Sequence, residues 1–184
     1  MKSKLNGITL ELLVGNLLGQ AVDAIVVTAT PDLDLDTDIG QQLVRLGGPS
    51  IEAECRAIGF ADMGQAVLTR AGELPCAFII HAVGPIMGTG NERGKLSSAI
   101  WNALHLAEER QIKTLAFSPI SVGQFGYPIE GCAAVMAQKI VDFTFEELDA
   151  VRSIQVIVPD LTLYSLFDDS WSKEIQAALD ETSA

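Results

Sequence analysis

Short β-branched runs alternate along the chain with longer stretches whose apolar residues recur every three or four positions. "ITLELLV" (Ile8–Val14) and "DAIVVTAT" (Asp23–Thr30) have the length and branched content of strands. Two short helical segments follow, "DIGQQLVRL" (38–46) and "PSIEAECRAIG" (49–59). They are broken at Gly47–Gly48, and Pro49 suits a first helical turn. "QAVLTRAG" (65–72) and "AFIIHAV" (77–83) read as consecutive strands across the turn signal "GELP". "KLSSAIWNALHLAEER" (95–110) puts Leu96, Ile100, Trp101, Leu104 and Ala107 on one helical face. "TLAFSPI" (114–120) predicts a strand, "PIEGCAAVMAQKIVDF" (128–143) a helix, and "SIQVIVP" (153–159) the last strand. The tail from Leu161 to about Leu179 reads as helical, interrupted around Asp168–Ser170.

The order ββααββαβαβα predicts an α/β fold, a three-layer α/β/α sandwich with a central mixed sheet. No repeat, linker or low-complexity stretch divides the 184 residues, so one domain over 1–184 is expected, with 161–184 as a helical C-terminal extension. "PIMGTGNERGK" (85–95) is the one long, flexible-looking connection.

Composition narrows the function. A net charge of −12 with scattered Lys and Arg excludes a general nucleic-acid binder. No apolar run approaches the ~20 residues that span a bilayer, so no membrane partner is expected. The N-terminus lacks a signal-peptide core, and a cytoplasmic location is expected. Cys55, Cys76 and Cys132 are odd in number and show no CxxC spacing, which predicts buried thiols rather than disulfides or zinc. No cofactor is expected.

Several chemical motifs fail on inspection. There is no GxxxxGK[ST] and no GxSxG, and "GTGNERG" has one residue too many for a dinucleotide fingerprint. An EF-hand counted from Asp34 would need Gly at Ile39 and Glu at Arg45. A looser hard-cation site on Asp34, Asp36 and Asp38 stands beside the plainer reading of a solvated acidic loop. His81 fits a packed strand histidine, His105 a surface helical one, and Trp101 the core; no catalytic residue is identified.

One loop stands out. Ser118–Pro128, "SPISVGQFGYP", holds two prolines, two glycines and two serines between a strand and a helix. That position lies at the carboxyl edge of a parallel sheet, where backbone N–H groups can meet an anion. A plain strand-to-helix turn accounts for Gly126 and Pro128 but not for Ser121 and Gly123. Both readings stay open on the local residues.

"VDAIVVTAT", "EC", "LPCAFIIHAVGP" and "LAFSPISVGQFGYP" together resemble the macro domain, the ADP-ribose-binding module, over about Ile8 to Asp160. Family members show VDAIVNAAN, then a GGGGV loop, then LP…IHTVGP, then AFPAISTGVFGYP. The resemblance implies that Ser121, Val122, Gly123, Gln124, Phe125 and Gly126 wrap a diphosphate, and that Tyr127 closes on the distal ribose or on the loop itself. It implies a ligand site that also includes Asn16, Leu17, Thr30, Ile39 and Gly40.

Departures from the family pattern are specific. NAAN becomes Val27-Thr28-Ala29-Thr30, and the glycine loop becomes Leu35, Asp36, Thr37 and Asp38 before Ile39. The acid at the adenine site is Asn16, and the aromatic after the last strand is Pro159. A carboxylate ~7 Å from a phosphate costs roughly 2 kcal/mol at an effective dielectric of 20. A micromolar ligand gains about 8 kcal/mol in all, so Asp36 and Asp38 facing the cleft would remove much of it. The expected function is binding of ADP-ribose or a related nucleotide without catalysis. The alternatives are an ADP-ribosyl or O-acetyl-ADP-ribose hydrolase, and a macro fold that binds a protein partner instead of nucleotide.

Overall fold

The computed structural model describes residues 1–182. Its strands are β1 (Lys2–Leu5), β2 (Ile8–Val14), β3 (Ala24–Thr28), β4 (Ala66–Arg70), β5 (Phe78–Ala82), β6 (Thr114–Phe117) and β7 (Ser153–Val158). Its helices are α1 (Asp38–Gly47), α2 (Ser50–Ile58), α3 (Glu92–Glu109), α4 (Ile129–Phe143) and α5 (Leu161–Thr182). All seven strands join one sheet in the order β1-β2-β7-β6-β3-β5-β4. The five inner strands are parallel, while β1 and β4 pair antiparallel at the two edges. The sheet is mixed, as the element order predicts.

Central strand β3 is buried at every position, which explains its unbroken "AIVVT". Ala24 and Val26 face the layer of α3, α4 and α5. Ile25 and Val27 face Leu43 of α1 and Ile51 and Cys55 of α2. Two cores back to back on one sheet make the three-layer sandwich.

The sequence reading missed β1. Asn6 and Gly7 link it to β2 with φ of +48° and +85°, and Leu5 pairs Ile8. Two positive-φ residues between paired strands are the signature of a tight hairpin, and Asn-Gly is its strongest short signal. The expected interruption in the tail is also absent: α5 runs from Leu161 through Asp168–Ser170 to Thr182. Phe167, Trp171, Ile175 and Ala178 keep one apolar stripe on the α4 side, and that burial outweighs the weak helix propensity of Asp and Ser. Helix α5 therefore shares the main core. The predicted extension continues to 184; residues 183 and 184 lie outside the described residues.

Smaller expectations shift too. His105 is half-buried against Trp101 and Phe143 rather than on the surface, while Trp101, itself half-buried, packs against the main core. The segment 85–95 is tied down: the Gly88 and Gly90 N–H groups donate to Glu92 Oε1, and Lys95 Nζ donates to the Thr89 carbonyl. Among the described residues no helix is long and apolar enough to cross a membrane.

Candidate functional site

Parallel pairing brings the carboxyl ends of β2, β7, β6, β3 and β5 to one edge of the sheet. Asn16, Pro159, the Ser118–Pro128 loop, Thr30 and Gly84 emerge there, the edge at which α/β sheets bind ligands.

The Ser118–Pro128 loop is anchored from below. The Ser118 N–H donates to the Val26 carbonyl at 3.1 Å, and the Ser121 N–H donates to Thr28 Oγ1 at 3.0 Å. Ser121 is fully buried with φ +62°, in the left-handed region that non-glycine residues seldom enter. Its Oγ has no partner and sits so close to Gly84 that a Cβ there would meet it at 2.1 Å. Gly84 is therefore required for the loop to seat.

Beyond this anchor the chain makes one 3-10 turn, Gly123–Phe125, closed by the Gly126 N–H on the Gly123 carbonyl. Gly123 and Gly126 have φ of +67° and +80°. The first N–H groups of such a turn have no intrahelical acceptor. Among the described residues, the N–H groups of Val122, Gly123 and Gln124 donate to no protein acceptor, and Gly123 and Gln124 are exposed. Phe125 is buried and holds the turn down, while its carbonyl accepts from the Met87 N–H at 3.0 Å. Tyr127 packs its ring on Gly131 in the first turn of α4. Burial there pushes its hydroxyl pKa up.

The Thr30–Gly40 segment forms the facing wall. Thr37 caps α1 through Gly40, its Oγ1 accepting the Gly40 N–H at 3.0 Å. A Cβ on Gly40 would lie 2.5 Å from the Leu35 carbonyl, so this glycine lets the loop fold onto the helix. The aspartates do not converge as a cation site. Asp34 Oδ1 accepts from the Asp36 N–H at 3.0 Å, and Asp36 Oδ1 accepts from Gln41 Nε2 at 2.9 Å. Among the described residues no three acidic, histidine or cysteine side chains gather as a metal site. Thr30 turns into this loop, its hydroxyl 3.5 Å from the Asp34 carbonyl and beside Asp32, whose carboxyl it holds below the usual range. Ile39 is half-buried in the first turn of α1.

One contact spans the two walls: the Asp38 N–H, at the start of α1, donates to Gln124 Oε1 at 3.2 Å. At the far end Asn16 is exposed and its Oδ1 accepts from the Leu18 N–H at 3.1 Å, with Leu17 buried beneath. Pro159 is exposed at the end of β7.

Thr28, Gly84 and Met87 were absent from the sequence-derived site. Each acts on the loop through a contact between distant segments, and no local motif marks such contacts. His81 and the three cysteines belong to the packed interior. His81 is buried with Nε2 2.9 Å from Thr69 Oγ1, and burial lowers its pKa to about 4, so it stays neutral. Burial raises the Cys55 and Cys132 thiols to about 11 and about 12 and keeps them unreactive. All three cysteines are free and buried, as their spacing predicts.

Known proteins match this architecture. A macro domain-containing protein of Caldanaerobacter subterraneus subsp. tengcongensis is 33% identical over 89% of this chain and 96% of its own length. An O-acetyl-ADP-ribose deacetylase of an Enterobacter strain is 36% identical over 73% of this chain and 78% of its own. A solved point mutant of the Oceanobacillus iheyensis macrodomain with ADPR superposes with a TM-score of 0.90 at 28% identity, covering 96% of this chain and 98% of that one. The family model described as Macro domain matches residues 26–136, and with these relatives it shows that the chain belongs to the Macro domain family.

Proposed function

We propose that the chain, as one module over residues 1–184, binds ADP-ribose or a related phosphorylated nucleotide through the Ser121–Tyr127 loop and does not hydrolyse it. The observation that carries this reading is the set of unclaimed N–H groups on Val122, Gly123 and Gln124, held at the sheet's carboxyl edge by a buried anchor. Such a nest neutralises an anion with backbone dipoles, so a chain of net charge −12 needs no lysine there. The Oceanobacillus neighbour with ADPR supports the ligand class. Asn16 offers its amide NH2 and a second lone pair of Oδ1 to a base edge, and Leu17 lies under it. Thr30, Ile39 and Gly40 complete the proposed lining on the opposite wall.

Binding is favoured over hydrolysis by Thr30. Its hydroxyl is engaged with the acidic loop and cannot offer the two amide functions of the family's asparagine at this position. A cytoplasmic location accords with three unpaired, buried cysteines.

Isothermal titration of the full chain with ADP-ribose at low salt tests this. Saturable binding in the micromolar range is expected, with no turnover of O-acetyl-ADP-ribose. Absence of heat and of thermal stabilisation at millimolar ligand would leave the fold serving a protein partner instead.

A further inference from the structure

Two strand spacings separate the free Val122–Gln124 amides from a second polar group at the same edge of the sheet. Strand β7 lies between β6 and β2, so Asn16, just after β2, stands about 10 Å across the edge from the loop that follows β6. That corner is apolar at its surface: Val14 is 44% exposed at the end of β2, and Leu161 is 74% exposed at the start of α5. An apolar surface with one placed polar group suits the faces and the edge of a flat ring.

The Asn16 carboxamide has a set orientation. Its Oδ1 accepts the Leu18 N–H at 3.1 Å, a role only the oxygen can fill, so the NH2 is the end left over. Asn16 is exposed, and among the described residues no protein acceptor takes that NH2. Gln20 Nε2 donates to the Asn16 backbone carbonyl at 2.8 Å and steadies the residue from the other side.

We propose that Asn16 reads the exocyclic oxygen of an oxo base, a 6-oxopurine or a 4-oxopyrimidine, in preference to the amino group that adenine or cytosine carries there. The inference rests on the nucleotide-binding reading above and names the base of its ligand. An exocyclic oxygen accepts from the free NH2. An exocyclic amino group meets that NH2 as donor against donor, and the acceptor left to it is the remaining lone pair of an oxygen shared with Leu18. ADP-ribose stays a ligand, short of this one bond. A carboxylate in the same place would cap Leu18 with one oxygen and accept from an amino base with the other, so the preference turns on the hydrogens of the carboxamide.

Titration calorimetry of the full chain at fixed neutral pH and ionic strength, with the pairs IDP and ADP, UDP and CDP, tests this, because each pair differs at the exocyclic group and its neighbouring ring nitrogen. The oxo member is expected to bind about fivefold tighter, the net worth of one neutral hydrogen bond. A split in the purine pair alone assigns the site to 6-oxopurines, in the pyrimidine pair alone to 4-oxopyrimidines, and in both to either base. Equal affinities within both pairs, or a tighter amino member, overturn the base preference and leave the nucleotide-binding reading standing. No binding of any of the four removes both. Asn16→Asp keeps the cap on Leu18, since Asn and Asp serve that position alike. It replaces the NH2 with an acceptor and is expected to turn the preference toward the amino base. An unmoved ratio in a folded Asn16→Asp protein overturns the role given to Asn16.

Discussion

The Ser121 N–H and the Thr28 hydroxyl, 93 residues apart in sequence, meet at 3.0 Å in a place sealed from solvent. This bond ties the root of the Ser118–Pro128 loop to the end of the central strand. It lets Ser121 hold a left-handed φ of +62° that its side chain disfavours. Thr28 therefore sets where the Val122–Gln124 amides point, although it lies beneath them.

Thr28→Val keeps the shape of the side chain and removes only the acceptor. The Ser121 N–H is then buried without a partner, which costs about 1–3 kcal/mol. Urea denaturation is expected to show that loss, and titration with ADP-ribose a weaker complex. Unchanged stability would mean that the Ser121 N–H finds another acceptor and that the loop does not depend on Thr28.

How far the sequence foretold this arrangement depends on whether a feature is local. The alternation of β-branched runs and helical periods located β2 to β7 and all five helices, because burial of one face writes a period into the chain. The bend-prone character of the Ser118–Pro128 loop was legible from its glycines: Gly123 and Gly126 both take positive φ. The local signal for β1 is the Asn6-Gly7 pair that turns it back onto β2. The interruption expected at Asp168–Ser170 is bridged by the Phe167–Trp171–Ile175 stripe, which is buried in the core on both sides of it. Which way Asp36 turns, and that Gln124 reaches Asp38, follow from the packing of two loops joined only through the folded sheet. No period or motif encodes such a contact.

Gly123→Val tests the loop itself. Its Cβ would meet no heavy atom within 4 Å, so packing does not resist the change. The backbone does: a branched residue at φ +67° costs about 1–2 kcal/mol. A fall in Tm of about 2–8 °C is expected by differential scanning fluorimetry. Nucleotide affinity should fall by more than about tenfold, because the isopropyl group stands among the free amides. Full affinity in a folded Gly123→Val protein would show that the phosphate lies elsewhere.

Glu108 gives a pH dependence unrelated to the ligand. Its carboxylate accepts the N–H groups of Asp149, Ala150 and Val151 at 2.6, 2.8 and 2.9 Å, pinning the turn before β7 to α3. Burial alone would raise its pKa, but the three amides, helped by Arg152, outweigh it and hold the carboxyl below its ordinary 4.5. A carboxyl depressed in the folded state stabilises it above the unfolded pKa, and that contribution disappears as pH falls through the folded value. Glu108→Gln is expected to lose about 1–2 kcal/mol at neutral pH, where a neutral acceptor replaces a charged one. The gap between the two proteins should close once pH drops well below 4.5. A gap independent of pH would assign the loss to packing rather than to charge.

Asp36 and Asp38 stand where the family carries glycines, and their orientation decides how strongly they oppose a phosphate. The Asp36 carboxylate is bound to Gln41 Nε2. Asp36 and Asp38 each line a surface depression that also contains Gln41 and Arg45, on the α1 side of the loop. Their charge then reaches a phosphate on the Val122–Gln124 amides through solvent, beside a compensating guanidinium. Such an interaction fades beyond a Debye length of about 10 Å at 0.1 M salt and about 3 Å at 1 M. Asp36→Gly combined with Asp38→Gly is expected to raise nucleotide affinity by about two- to fivefold at low salt and by almost nothing near 1 M. A gain that persists at high salt would place the carboxylates against the ligand itself. No gain at either salt would put them out of its reach.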